Sequence, residues 1–157
     1  MNGTPLPILM YHALDTSGSV IATDPGWFAE TLDALATAGF RSVDLLPWIE
    51  QGRPPVDRGF ALTFDDGMRS MLLAADSLVR HGFSATAFLV TGRMGLDNAW
   101  RGQPGGIPRS SLLAWSDLTA LQAAGVRFGA HTRTHPRLDR LDERALVEEL
   151  RGSRDDL

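Results

Sequence analysis

The chain contains no cysteine and no lysine. Without cysteine there is no disulfide framework, no thiol nucleophile and no thiolate metal site. Basic charge is carried by arginine alone, 15 residues of it. Two readings compete: selection of a planar guanidinium for bidentate recognition, or a codon preference that also enriches Ala, Leu and Gly. The composition favours the second. Long apolar runs are missing too. The opening "MNGTPLPILMYH" has no basic segment and a short apolar stretch, so it reads as neither signal peptide nor membrane span. The chain as it stands is expected to be cytoplasmic. Nor is there a basic excess: a net charge of −4 argues against a nucleic-acid binder or an anionic-membrane binder.

What is present fits one soluble globular domain over residues 1–157. Hydrophobic residues make up 43% of the chain, enough for a real core at this length. Short apolar runs alternate with helical periodicity, the pattern of repeated βα units and a parallel α/β sheet. "PILMYH" reads as a first strand. A helix follows, with Asp24 as N-cap, Pro25 at its first position, Phe28, Leu32 and Leu35 on one face and Gly39 as stop. "RSVDL" predicts a short strand and "LLPWIEQG" a short helix broken early by Pro47. "GFALTF" predicts a strand buried on both faces, because its apolar run scarcely alternates. Then come a helix over "MRSMLLAADSLVRHG", a strand over "SATAFLV" and a long Gly-rich irregular segment from Thr91 to Arg109. A helix capped by Ser116, a strand over "VRFGAH" and a final helix capped near Asp142 complete the chain. That last helix reads as a solvated amphipathic one, with Leu141, Leu146 and Leu150 as its buried stripe.

Two strand ends carry the chemistry. "FALTFDDG" runs into Asp65 and Asp66, and "GAHTRTHP" ends in His131 and His135. Taken alone, the Asp pair is better explained by an Asp-Gly turn. The histidines have the spacing of a helical zinc site, but Thr132 stands where such a site places its general-base Glu. Pro136 also disfavours helical geometry at His135. The pair therefore belongs on a turn at a strand end. Strand ends of a parallel sheet share one edge, so one carboxylate and two imidazoles could meet there and leave a divalent metal an open position for water. Adjacent residues leaving a strand point in different directions, which frees one Asp to act on a proton while the other binds the ion.

"TFDDG" and "HTRTHP" resemble the first two motifs of the polysaccharide deacetylases, carbohydrate esterase family four, also called the NodB homology domain. "ILMYH" is similar to the opening strand of many members, and the likeness runs over roughly residues 6 to 140. The resemblance implies a distorted (β/α) barrel and a hydrolase removing N-acetyl groups from carbohydrate polymers such as chitin, peptidoglycan or exopolysaccharide. It further implies Asp65 as catalytic base and Asp66, His131 and His135 as ligands of a divalent metal, usually Zn²⁺. Thr132 and Thr134 are candidates for supporting hydrogen bonds. The family's later Arg-x-Pro-Tyr and Leu-x-Leu-His motifs have no counterpart here. The barrel is accordingly expected to be incomplete at its C-terminus, with open sheet edges. Metal binding without efficient turnover is the expected behaviour.

Among other residues, His12 at the end of the first strand is either a substrate contact or a structural histidine. Trp100, in the Gly-rich segment, could stack on a sugar ring. His81 reads as a helix-end residue interacting with the dipole, and Trp48 and Trp115 as packing residues. Competing functions are a small-molecule amide or imide hydrolase on the same fold, and a non-catalytic carbohydrate-binding module that keeps the metal site for structure. An iron-dependent oxygenase built on two histidines and one carboxylate is a third.

Overall fold

The computed structural model describes residues 6–157; Met1–Pro5, part of the opening segment read for a leader, lie outside them. The first strand, β1 (Ile8–Tyr11), precedes the short strands β2 (Ala13–Leu14) and β3 (Ala22–Thr23), which pair with each other. The following helix, α1 (Pro25–Thr37), starts as the sequence dictates: Asp24 caps it by accepting from the N–H groups of Gly26 and Trp27 at 2.8 and 3.1 Å. Phe28 and Leu32 are its buried face.

Next come β4 (Arg41–Ser42), α2 (Leu45–Glu50) and β5 (Gly59–Phe64). Pro47 does not break α2. It occupies the third helical position, where its missing N–H would have had no helical partner. All six residues of β5 are buried, as its unbroken apolar run predicts. The segment after β5 opens as a 3₁₀ helix at Arg69–Ala74 and becomes α3 (Ala75–His81). β6 (Ala85–Leu89), α4 (Leu118–Ala123), β7 (Val126–Ala130) and α5 (Glu143–Asp155) complete the order.

The main sheet is parallel throughout, in the order β1-β5-β6-β7, with β4 joining β5 at its start. β1 and β7 form its margins among the described residues, so no closed barrel is seen there. The core is one layer of large side chains between sheet and helices. Phe28, Phe60, Phe64, Leu62, Leu78 and Leu121 are each at most 1% exposed. A smaller cluster of Ala13, Met68, Val90, Trp100 and Leu112 sits beside it. No helix among the described residues is long and apolar enough to cross a membrane.

Several local expectations need correction. Ser116 does not cap α4; the turn before that helix is 3₁₀ (Trp115–Asp117), and the Asp117 carboxylate accepts from the Ala114 N–H at 2.9 Å. Trp115 is not a core residue, being 47% exposed, because it ends up on the outer rim of that turn; Trp48 is half-buried. Leu150 is also exposed, at 48%, since α5 turns toward the protein a face carrying Gly152 and the buried Ser153. His81 does end α3, as read, and its Nε2 also makes a tertiary contact, 2.6 Å from Asp33 Oδ1 on α1.

Candidate metal centre

The parallel register of β1, β5, β6 and β7 sends their C-terminal ends to one edge of the sheet, where the chemistry gathers. His12 leaves β1, Asp65 and Asp66 leave β5, and His131 leaves β7. The ends are laced together: the Asp65 N–H donates to Tyr11 O at 2.9 Å, and the His131 N–H to Leu89 O, at the end of β6, at 2.8 Å.

Asp66 then turns sharply. Its φ of 68° places a non-glycine residue in the left-handed region, where Asp is among the better tolerated residues. Gly67 follows at φ 69°, and a Cβ there would stand 3.0 Å from Leu89 Cδ2. Any other residue at 67 would press on the end of β6 as well as strain the backbone. The double turn buries the Asp66 side chain, leaving the residue 6% exposed.

The histidine segment is a loop, with Thr132 at φ 67° and His135 at φ 59°. Such conformations cost roughly 1 kcal/mol or more each for non-glycine residues. Thr132 repays part of this locally, its Oγ1 accepting the His135 N–H at 3.0 Å. The loop brings both imidazoles to Asp66: His131 Nε2 is 3.5 Å and His135 Nε2 3.2 Å from Asp66 Oδ1. Asp66, His131 and His135 are the one group among the described residues able to offer three ligand atoms within 4.8 Å of one another.

These residues fit a metal. Asp66 Oδ1 is buried and has no hydrogen-bond partner, although two ring nitrogens face it. A buried acceptor left unpaired is costly, and a cation shared with the imidazoles would satisfy all three atoms together. Electrostatics agree. Burial pushes the His131 pKa below its ordinary value, the nearby charges of Asp65 and Asp66 opposing that shift and those of His135 and His12 adding to it. A neutral imidazole is the form that ligates metal.

The cluster forms one wall of a cleft of about 260 Å³, to which His12, Ile21, Trp100, Arg101, Gln103 and Arg137 also contribute. Trp100 is 8% exposed and packs its ring 4.3 Å, centroid to centroid, from His135. Asp65 is half-buried and stands near enough to influence His131, but it is not among the residues lining this cleft. The structure thus brings Asp66, His131, His135, His12 and Trp100 around one space, with Asp65 beside it.

The Gly-rich segment that supplies Trp100 is pinned rather than loose. Short antiparallel bridges join Met68 to Leu112 and Asp97 to Ser111, and buried Asn98 ties across it to Pro108 O and the Ser110 N–H at 3.0 and 2.8 Å. The cleft residues Ile21, Gln103 and Arg137 were not anticipated. No periodicity or motif marks them, because loop folding alone brings them to the site.

A family model for polysaccharide deacetylases matches residues 52–157. Similar solved structures include the Streptococcus pyogenes deacetylase PplD in complex with acetate, at TM-score 0.80 and 22% identity over 98% of this chain and 68% of that one. BC0361, a polysaccharide deacetylase from Bacillus cereus, gives TM-score 0.74 and 22% identity, covering 96% of this chain and 46% of that one. At those identities the likeness establishes the fold. IcaB from Ammonifex degensii is 27% identical at TM-score 0.69, over 91% of this chain and 58% of that one. The chain therefore spans less than two thirds of the length of the last two. No protein of curated function matches the sequence.

Proposed function

Because the chain belongs to the polysaccharide deacetylase family, we propose that its site hydrolyses N-acetyl groups on N-acetylated carbohydrate, with Asp66, His131 and His135 holding a divalent metal, Zn²⁺ by preference. The observation that carries this reading is the buried, unpartnered Asp66 Oδ1 set between two histidine nitrogens. A divalent ion bound there supplies Lewis acidity, lowering the pKa of water toward neutrality and polarising a carbonyl.

The chain's own residues divide the remaining work. Asp65, next in the chain to Asp66 at the end of β5, would take the proton that the attacking water loses. The acetyl carbon gains the water oxygen and its bond to nitrogen breaks; the proton that Asp65 took passes to the departing amine, and the second water proton leaves with the acetic acid. Trp100 and His12 line the cleft where the sugar would lie. Trp100, 8% exposed, holds its indole against His135 and shapes the cleft wall from behind that imidazole.

A second reading has a specific observation behind it. Residues 1–157 contain neither an Arg-x-Pro-Tyr nor a Leu-x-Leu-His segment, so the oxyanion donor and the general acid of the resembled family lack counterparts. Loss of a single oxyanion donor commonly costs about 100-fold or more in rate. The chain would then bind metal and carbohydrate with slow turnover. Zn²⁺ titration together with acetate release from chitooligosaccharide separates the readings: saturable binding with release supports the hydrolase, binding without release supports the binding module, and absence of Zn²⁺ binding overturns both.

A further inference from the structure

The loop that presents the two histidines cannot hold its shape by itself. Thr132 and His135, at its two corners, both lie in the left-handed region, which is unfavourable above all for the β-branched Thr132. Besides the loop's own Thr132 bond and the end of β6, what opposes this strain comes from α5, a helix that contributes nothing to the cleft wall.

Glu149, in the second turn of α5, reaches into the loop between the histidines. Its Oε2 accepts the backbone N–H groups of Arg133 at 2.7 Å and Thr134 at 2.9 Å, and its Oε1 accepts the Thr134 hydroxyl at 2.5 Å. One carboxylate therefore satisfies three consecutive donors, an arrangement possible only while the loop keeps its present path. A second anchor lies about two turns on, at the helix end. Asp156 takes the Arg133 guanidinium in bidentate fashion, both contacts at 2.9 Å, and also accepts the Thr91 hydroxyl at 2.8 Å. The end of β6 closes the bracket from the other side: the Thr91 N–H donates to Thr132 O at 3.1 Å and the Gly92 N–H to Arg133 O at 2.9 Å. Gly152 is what allows Arg133 to lie along the helix. A Cβ there would sit 2.5 Å from Arg133 Cδ, and the clash would drive the guanidinium away from Asp156.

The geometry points to Glu149 and Asp156 as positioning residues that set the approach of His131 and His135 to Asp66 through the backbone of Arg133 and Thr134, so that metal affinity is partly determined on α5. This rests on the reading of Asp66, His131 and His135 as a metal site. The two histidines flank the two residues that Glu149 grips, so any relaxation of the loop moves the imidazoles relative to each other. Partners that orient metal ligands typically change affinity by about 10- to 100-fold when removed.

The test is Zn²⁺ affinity by competition with a chelating dye, alongside the absorption bands of the Co²⁺-loaded protein, which report ligand geometry. Glu149→Gln should weaken Zn²⁺ binding about tenfold or more and shift the Co²⁺ bands, with Asp156→Asn acting in the same direction. Thr134→Val removes one donor and leaves the carboxylate in place; it should fall between parent and Glu149→Gln, and gives the same reading if the latter does not fold. Val147→Gly, at an exposed position of α5, weakens the helix by backbone entropy; it should lower the melting temperature and leave affinity and bands unchanged. Parent-like affinity in Glu149→Gln and Thr134→Val, or an equal loss in Val147→Gly, overturns the inference alone. A parent protein that binds neither ion overturns the metal site itself, and the inference with it.

Discussion

The indole of Trp100 and the imidazole of His135 lie 4.3 Å apart, centroid to centroid, with their planes 36° from parallel. The same indole is packed into the small cluster of Met68, Val90 and Leu112, so it joins the core to a metal-ligand candidate. Trp100→Ala should lower the free energy of unfolding by about 3 kcal/mol through the cavity it leaves, measured by urea denaturation. Trp100→Phe should retain more than half of that stability, and an unchanged midpoint in Trp100→Ala would show that the packing carries no weight.

Asp66→Asn preserves size while replacing the charged carboxylate with a neutral amide, whose single carbonyl oxygen is a far weaker ligand for Zn²⁺. In the parent, Zn²⁺ at a hundredfold excess over its dissociation constant should stabilise the fold by about 2.7 kcal/mol. Thermal unfolding with Zn²⁺ and with EDTA should differ for the parent and coincide for Asp66→Asn.

Asp65→Asn separates the two neighbouring carboxyl groups. It should leave Zn²⁺ affinity within a fewfold of the parent and reduce any acetate release by about 100-fold or more, the usual weight of a positioned base. A collapse of metal binding instead would make Asp65 a ligand.

Acid should loosen α5 from the histidine loop. The Arg133 guanidinium, and then the Thr91 hydroxyl, hold the Asp156 carboxyl below the usual carboxylate range. Its contribution to stability is therefore in place above the unfolded-state value, about pH 4, and fades as pH falls through the lower folded-state value. Stability measured from pH 6 downward should decline less steeply in Asp156→Asn than in the parent.

Much of this was legible in the chain because local rules and tertiary need agreed. Asp24 and Pro25 announce α1, the unbroken apolar run of β5 announces its double burial, and Pro136 correctly turns the histidine pair away from a helix. The failures share a cause. Leu150 and Trp115 are apolar residues whose exposure depends on which face of α5 and which rim of the α4 turn meet the rest of the protein, and no short window of sequence carries that information. Ser116 was a plausible cap until the turn tightened to 3₁₀ and Asp117 took over the bonding. The grip of Glu149 on the loop joins residues 15 and 16 positions apart, through hydrogen bonds that leave no periodic trace.

β6 supplies none of the site's side-chain donors, yet it lies between the two strands that do. Neighbouring strands stand about 4.8 Å apart, so β6 acts as a spacer fixing roughly a 10 Å gap between the ends of β5 and β7. A short acidic side chain reaches in from one bank and longer imidazoles from the other. Tolerance of the site to change is thus a matter of reach: Glu in place of Asp66 would overshoot, and a residue inserted before Leu89 would misalign the banks while leaving each of the three ligands intact.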